Sequence, residues 1–211
     1  MKIAILGSTG FVGKVLLEKA LARGYEVSTL ARSPEKLGDF KDKVRVIQGD
    51  IFDLAKVREC VEGVQAVLST VPPEGSTDNP AKYGALMKDL ISILNEKGIS
   101  RFIHIGGAGH AGGVNESWSF GRKFLRFFLQ KTWKQGLIAK ELEWEALKAS
   151  NLDWTLVRPP RIAKGSSGGK LYADEQHLKK TTVYVEDLVS FMLDQIESKD
   201  WVKKAPLVAS L

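Results

Sequence analysis

The chain has 211 residues, of which 44% are hydrophobic and 27% charged, and a formal net charge of +6. This length and balance are typical of one globular domain with a substantial core. Because there is no run of about eighteen or more apolar residues, no membrane span is expected. The apolar stretch at residues 3–6 is followed at once by glycine, so we do not expect a secretory leader.

Cysteine usage and charge narrow the function classes further. Cys60 is the only cysteine, which excludes an internal disulfide and fits a reducing, cytoplasmic compartment. We interpret it as a helix-face residue rather than a nucleophile. The excess of Lys and Arg over Asp and Glu fits either a solvated basic surface or an electrostatic field that favours an anionic ligand. Zinc-type spacing and RNP-type aromatic motifs are missing, so neither a metal site nor a nucleic-acid partner is predicted.

Short apolar runs alternate with helical patterns along the chain. Strands are predicted over residues 2–6, 25–31, 44–48, 66–71, 101–105, 154–157 and 207–208. Helices are predicted over residues 11–23, 54–60, 81–97, about 120–150 and 185–196. Such alternation predicts an α/β fold with a mainly parallel sheet and helices on both faces. We expect one domain over 1–211, with a small C-terminal portion from about 159 and a surface loop at 164–170.

The first strand runs directly into a glycine-rich turn, IAILGSTGFVG at residues 3–13. Gly7 can make the tight turn, Gly10 lets a pyrophosphate approach the backbone, and Gly13 lets the next helix pack closely on the sheet. The helix N-terminus adds free N–H groups and a partial positive charge. A strand, a turn and a helix in this order predict a dinucleotide site in a Rossmann-type, doubly wound fold.

Neighbouring residues of this turn are also candidates for cofactor binding. Ser8 and Thr9 could donate hydroxyl hydrogen bonds to the ligand, or they could cap the helix. Phe11 and Val12, the first residues of the predicted helix, are the remaining candidates in this turn.

Later strand ends should line the same crevice, because ligands of open α/β sheets bind at the carboxyl ends of the strands. Asp50 and Ile51 follow the third strand, where they could bind and cover an adenine ring. Gly106 and Gly107 follow the fifth strand, near the expected place of nicotinamide. The remaining strand-end candidates are Thr70, Val71, Pro72, Pro159, Pro160 and Ile162.

The end of the second strand bears on the choice between NAD and NADP. An NAD site would place Asp or Glu there to bind the ribose 2′-hydroxyl. Arg32 stands in that place instead, and Ser33 adds a hydroxyl. A guanidinium can bind a phosphate with two parallel hydrogen bonds, so NADP(H) is the expected cofactor. The alternative is that Arg32 is an ordinary surface charge.

These residues resemble the atypical short-chain dehydrogenase/reductase superfamily, in the single-domain NAD(P)H-binding branch that includes biliverdin reductase B (flavin reductase) and NmrA-like proteins. The segments that carry the resemblance are GSTGFVG at 7–13, LARSPEKL at 30–37, VIQGDIFD at 46–53 and KELEWEALKASNLDWTLVRPPRI at 140–162. The resemblance implies an NADPH-dependent reductase of a small conjugated or carbonyl acceptor, such as a flavin, quinone or tetrapyrrole. The alternative is a non-catalytic NADP(H)-binding sensor or regulatory protein, as in the NmrA-like members.

The usual catalytic pair of that superfamily, Tyr-x-x-x-Lys, is incomplete. Lys140 aligns with the Lys, but position 136 is Gly, and glycine also replaces the customary Ser after the fifth strand. The resemblance implies that Lys140 contacts the nicotinamide ribose; the alternative is a solvated helix charge. His110 is the candidate acid, because its ordinary pKa of about 6.5 suits proton transfer, or else an unpartnered loop residue. His104, inside a strand, is expected to be a satisfied core residue.

Residues 117–134, SWSFGRKFLRFFLQKTWK, combine aromatic and basic side chains in a helical pattern. Three interpretations stay open. The segment could pack on the core with a basic outer face. It could be a lid whose Trp118 and Phe120 wall an acceptor pocket. It could also present a surface to a membrane or a partner, including a second copy of the chain.

Overall fold

The computed structural model describes residues 1–72, 79–107 and 133–211. Its centre is a sheet of six parallel strands in the order β3-β2-β1-β4-β5-β6. The strands are β1 (Lys2–Leu6), β2 (Glu26–Ala31), β3 (Arg45–Gln48), β4 (Ala66–Ser69), β5 (Arg101–Ile105) and β6 (Asp153–Val157). The α-helices of the described ranges are α1 (Phe11–Ala22), α2 (Leu54–Cys60), α3 (Pro80–Glu96), α4 (Lys134–Lys148) and α5 (Val185–Asp194).

The central strands are apolar on both faces because helices cover both faces. In β1, Ala4 and Leu6 belong to the core under α2, α3 and α4. Ile3 and Ile5 belong to the opposite core, under α1 and α5. The predicted Rossmann-type, doubly wound fold is therefore confirmed.

The strand order decides where a ligand can bind. The chain leaves β1 toward β2 and β3 on one side, and β4 to β6 lie on the other side. The connections therefore diverge at β1 and β4, which open a crevice at their carboxyl ends. The glycine-rich turn after β1 lies at this switch point.

The segment after β6 forms two small sheets that pack against the rest of the fold. Their strands are β7 (Arg161–Ala163) with β9 (Thr182–Tyr184), and β8 (Leu171–Asp174) with β10 (Leu207–Ser210). The buried guanidinium of Arg158 donates to the carbonyl oxygens of Ala205, at 2.6 Å, and Glu175, at 2.8 Å. These bonds tie the C-terminal segments to the end of β6.

Two parts of the sequence prediction need correction. A continuous helix over about 120–150 is wrong at Trp133, whose φ of −139° is not helical, and α4 begins only at Lys134. A 3₁₀ segment at Pro34–Lys43 was not predicted, because Gly38, with φ of +57°, interrupts its helical pattern. The predicted loop 164–170 does lie largely on the surface.

Cys60 lies in α2, as predicted, and burial raises the pKa of its thiol to about 11.

Among the helices of the described ranges, none is both long enough and apolar enough to cross a membrane.

Candidate cofactor site

Two of the three glycines in the turn are required by the protein itself. Gly7 has a φ of +90°, and a Cβ there would lie 2.7 Å from Thr70 Oγ1. A Cβ on Gly13 would lie 2.0 Å from the carbonyl oxygen of Gly7. Both positions therefore exclude a side chain, so that the turn, β4 and α1 can approach one another.

Gly10 differs, because the described part of the protein leaves room for a side chain there. Its Cβ would contact only the Gly7 carbonyl oxygen, at 3.4 Å, and the residue is exposed. Packing therefore does not explain this glycine, whereas a ligand lying against the backbone does. The residues present thus fit the diphosphate of a dinucleotide.

The first turn of α1 offers unused hydrogen-bond donors. The first bond of the helical ladder runs from the Lys14 N–H to the Gly10 carbonyl, at 3.0 Å. The N–H groups of Phe11, Val12 and Gly13 precede that ladder, and Gly10, the N-cap residue, has no side chain that could accept from them. These donors and the helix dipole favour an anion at the turn.

The two hydroxyl residues of the turn have separate roles. Ser8 is fully buried, and its Oγ lies 2.6 Å from Thr29 Oγ1. Thr29 Oγ1 is also 2.7 Å from the carbonyl oxygen of Ile5. The Ser8 hydroxyl therefore joins the turn to β2, and the helix-cap alternative is wrong, since the N-cap is Gly10. Thr9 is half-buried and faces the crevice.

A cavity of about 310 Å³ brings together most of the predicted residues of the adenosine and diphosphate side. It lies at the carboxyl ends of β1, β2, β3 and β4. Phe52, which we did not select from sequence, also lines it, and Lys82 Nζ lies 4.1 Å from the centre of the Phe52 ring. The lining residues are Leu6, Gly7, Thr9, Gly10, Leu30, Arg32, Gly49, Asp50, Ile51, Phe52, Thr70, Val71 and Pro72.

Arg32 is held only loosely at the rim of this cavity. Its side chain is 81% exposed, and Nη1 lies 3.7 Å from Asp50 Oδ2. The other carboxylate oxygen of Asp50 accepts the Phe52 N–H at 2.9 Å. An exposed pair of this kind contributes at most about 1 kcal/mol, so the guanidinium is free to turn toward a phosphate. Ser33 is the N-cap residue of the 3₁₀ segment and makes no side-chain cap bond.

The predicted residues after β5 and β6 do not line this cavity in the described ranges. The Gly106 N–H donates to the Val157 carbonyl at 2.8 Å, whereas Gly107 has a φ of +123° and a Cβ built on it would meet no atom of the described residues within 4 Å. Pro159 is buried and Pro160 is half-buried. Ile162 packs against the core under α1 and α5. His110, the candidate acid, lies outside the described residues.

Lys140 is buried rather than solvated, so the alternative of a solvated helix charge is wrong. Its Nζ donates to Glu143 Oε2 at 2.9 Å, one turn further along α4. The same oxygen accepts the Tyr83 hydroxyl at 3.3 Å. His104 Nε2 lies 3.3 Å from both the Tyr83 hydroxyl and Glu143 Oε1. His104 is thus buried in the core, as the sequence predicted, and its Nε2 has partners, but its Nδ1 has no hydrogen-bond partner among the described residues.

The charges of this group follow from its contacts. Burial acts to raise the pKa of Glu143, but Lys140 and His104 outweigh it and lower that pKa to about 2. Burial, together with Glu143, raises the pKa of Tyr83 well above its usual value. At neutral pH the group therefore holds a carboxylate and a neutral phenol. The spacing of Lys140 and Glu143 on one helix could have indicated an i, i+3 ion pair. No pattern in the sequence could have predicted that Tyr83 contacts them.

Gly136, at the position of the usual catalytic tyrosine, is covered by Trp133. A Cβ on Gly136 would lie 2.0 Å from a ring carbon of that indole. A tyrosine there would require the indole to move. The packing of Trp133 against α4 therefore depends on the absence of a side chain at position 136.

Comparison with known proteins fits this geometry. A sequence profile described as NAD(P)H-binding matches residues 7–199. The chain belongs to the NAD(P)H-binding family. The NAD(P)H-binding part of the expected resemblance is thus confirmed, together with the Rossmann-type fold.

Individual relatives are more distant. The uncharacterized protein YwnB of Bacillus subtilis is 27% identical over 164 residues, which cover 75% of this chain and 71% of YwnB. The chain spans only 36%, 26% and 19% of the next three curated relatives.

Two solved structures share the fold at low sequence identity. ChuY, an anaerobillin reductase from Escherichia coli O157:H7, has a TM-score of 0.81 and 20% identity, over 100% of this chain and 97% of that one. A short-chain dehydrogenase/reductase from Veillonella parvula, solved in complex with NADP, has a TM-score of 0.78 and 18% identity, over 99% and 94%.

Proposed function

We propose that the protein is an NADPH-dependent reductase of a small conjugated or carbonyl acceptor, such as a flavin, a quinone or a tetrapyrrole. The observation that carries this proposal is the crevice at the β1–β4 switch point. There an exposed glycine, the free N–H groups of α1 and an arginine face one cavity. The fold shared with a tetrapyrrole reductase supports the choice of acceptor class.

The cofactor proposed is NADP(H) rather than NAD(H). Arg32 lines the cavity at the end of β2, where an NAD site would carry an acidic residue. Its weak pair with Asp50 is easily exchanged for a phosphate, because bonds to a phosphate are charge-assisted and can be bidentate. Asp50 and Ile51 would then hold the adenine beside it.

The proposed roles of the chain's own residues combine their places in the fold with what the family resemblance implies for Lys140. The turn at residues 7–13 binds the diphosphate through backbone N–H groups, and Lys140 faces the nicotinamide ribose from α4. When bound, NADPH supplies a hydride. Because Gly136 carries no phenol and Lys140 is bound to Glu143, the proton that completes the reduction is proposed to come from solvent or from His110. The segment after Pro160 forms the acceptor side of the site.

The test is NADPH oxidation against a panel of flavins, quinones and linear tetrapyrroles, with NADPH and NADH binding measured by calorimetry on the same preparation. We expect NADPH to bind more tightly than NADH and to be consumed with at least one acceptor. A Gly10→Ala variant tests the site directly, since it should keep the fold while its NADPH affinity falls, and with it the turnover at low NADPH concentration. Wild-type NADPH affinity and turnover in that variant would contradict the proposed site.

One observation favours a second candidate, a non-catalytic NADP(H) sensor. The place of the usual tyrosine is filled by the Trp133 indole, so the chain lacks the standard acid of its superfamily at that position. Tight NADPH binding without turnover of any acceptor in the panel would favour the sensor over the reductase. Residues 117–134 would then be the first segment to test for a partner, although most of it lies outside the described residues.

A further inference from the structure

The Phe52 side chain is exposed although its neighbours in the chain are packed. Its relative exposure is 38%, whereas Ile51 and Leu54 pack against the core under α2, α3 and α4. Phe52 belongs to neither of the two cores that the described residues form. Internal packing therefore does not account for this ring, which instead lines the cavity at the carboxyl ends of β1 to β4.

The backbone that carries Phe52 is held on both sides. The Phe52 N–H donates to Asp50 Oδ1 at 2.9 Å, and the Asp53 N–H donates to the Asp50 carbonyl oxygen at 3.0 Å. Asp53 is also the N-cap residue of α2, where Oδ1 accepts the N–H groups of Ala55 and Lys56, both at 3.2 Å. The place of the ring is thus fixed before a ligand binds, so that little conformational freedom is lost on binding.

One face of the Phe52 ring already has a partner. Lys82, in the first turn of α3, places its Nζ 4.1 Å from the ring centre, which is within the range of a cation–π interaction. The Lys82 backbone is itself held, because its N–H donates to the side chain of Asn79, the N-cap residue of α3, at 3.3 Å. The ammonium fixes the orientation of the ring and leaves its other face for a planar ligand.

The anchors of the proposed cofactor decide which of its parts meets Phe52. The diphosphate is assigned to the first turn of α1 and the 2′-phosphate to Arg32, so the ribose between them carries the adenine base into the rest of the cavity. That part is lined by Asp50 and Phe52. Arg32 Nη1 lies 3.7 Å from one oxygen of Asp50, and the other oxygen holds the Phe52 N–H. The ring is therefore close to the place of the 2′-phosphate.

We propose that the Phe52 ring stacks on the adenine base of the cofactor, and that the Lys82 ammonium holds the ring from its opposite face. A purine presents a flat π-face, which stacks on an aromatic side chain in an offset arrangement. This inference rests on the proposed cofactor site, but it does not require turnover. It gives Phe52 a part in selecting an aromatic base, separate from the recognition of the phosphate by Arg32.

The test is calorimetric binding of two ligands, NADPH and 2′,5′-ADP, which carries only the adenine end of the cofactor with its 2′-phosphate. Phe52→Leu keeps an apolar side chain but removes the π-face. We expect it to weaken both ligands by a similar factor of about ten, because each loses the same stacked base. Phe52→Tyr keeps the ring and should bind both ligands as the wild type does.

Phe40 offers a matched control. Its ring also has a lysine cation near it, with Lys43 Nζ 5.6 Å from the ring centre, but Phe40 does not line the cavity. Phe40→Leu should therefore bind both ligands with wild-type affinity. The melting temperature of Phe52→Leu should stay within a few degrees of the wild-type value, since the ring belongs to neither core.

Lys82→Met tests the part assigned to the ammonium. It should weaken both ligands about two- to fivefold, whereas Lys88→Met, at an exposed position of the same helix, should leave them unchanged. In the Phe52→Leu background the loss caused by Lys82→Met should disappear, because the ammonium acts through the ring. A loss that persists in that background would indicate direct attraction to a phosphate and would overturn the role of Lys82.

Wild-type affinity of Phe52→Leu for NADPH would overturn the inference, as would a loss for NADPH without a matching loss for 2′,5′-ADP. Equal losses in Phe52→Leu and Phe52→Tyr would overturn it as well, since one of the two keeps the ring. Failure of the proposed reductase activity is distinguishable, because it leaves the binding of both ligands and its dependence on Phe52 intact. A wild-type protein that binds neither ligand would overturn the cofactor site together with this inference.

Discussion

The two ends of the proposed cofactor site are built in opposite ways. At the adenosine end, the protein uses backbone groups and an exposed arginine whose nearest carboxylate oxygen, on Asp50, is 3.7 Å away. At the other end it uses a buried ammonium, Lys140, held 2.9 Å from a fully buried carboxylate, Glu143. The exposed pair is weak and can exchange its partner, whereas breaking the buried pair leaves an unpaired charge in the protein interior.

The difference suits the two ends to different tasks, the first to recognition of the cofactor phosphate and the second to holding a charged group in a fixed place. A loosely held guanidinium can leave its partner for a phosphate at little cost, so it suits discrimination between two cofactors. A buried ion pair resists rearrangement, so it suits a group whose place must not change. Mutations at the first end should alter which nucleotide binds, and mutations at the second should alter how strongly it binds.

The largest effect is expected from the glycines of the first turn, which the structure divides into two kinds. Gly13→Ala would place a Cβ 2.0 Å from the Gly7 carbonyl oxygen, and we expect a loss of about 3 kcal/mol or more of unfolding free energy. Gly10→Ala meets no such contact and should lose less than about 1 kcal/mol. Its NADPH affinity should nevertheless fall roughly 10- to 100-fold, because the methyl group occupies the place of the diphosphate. Urea unfolding and calorimetry measure the two effects, and normal NADPH binding by Gly10→Ala would contradict the site.

The next effect tests cofactor choice at the exposed end. Arg32→Ala removes a charge-assisted interaction of about 1.5–3 kcal/mol, so NADPH affinity should fall roughly 10- to 100-fold. NADH affinity should change by no more than about twofold, since NADH has no phosphate at that position. Arg45→Ala, at the amino end of the neighbouring strand β3, is the control and should leave both affinities unchanged. Equal losses for NADPH and NADH in Arg32→Ala would remove the case for phosphate recognition.

The smallest effect concerns a second buried carboxylate, Asp187, which has hydroxyl partners instead of a cation. Burial acts to raise its pKa, but hydrogen bonds from Ser210, Ser167 and Ser166 lower it to about 2. Because the folded pKa lies below the unfolded value, the carboxylate contributes about 2 kcal/mol of stability above about pH 4, and this is lost as the pH falls toward 2.

Asp187→Asn should therefore lower the unfolding free energy at pH 7 and flatten its decline in acid, as measured by urea unfolding across this range. The same change at the exposed Asp39 should do neither. NADPH affinity at neutral pH should stay at the wild-type value, because Asp187 does not line the cavity. A steep acid decline that persists in Asp187→Asn would assign the effect to other carboxylates.

The sequence by itself determined the order and type of the central elements and the adenosine end of the site. Strands β1 to β6 were readable because each is a short, continuous apolar run between breakers, and the turn at 7–13 is local in the chain. Arg32 was readable for the same reason, since its meaning depends on its distance from the glycines and on the end of one strand.

Only the tertiary structure decided which glycines serve packing, where the Ser8 hydroxyl points, and that Lys140 is buried. It also brought Tyr83 and His104 to Glu143, although they lie 60 and 39 residues before it in the chain. Such contacts leave no periodic signal, because they depend on how α3 and α4 pack on β5. Local spacing fixes a turn and a strand end, whereas a buried charge cluster exists only once the sheet and its helices are assembled.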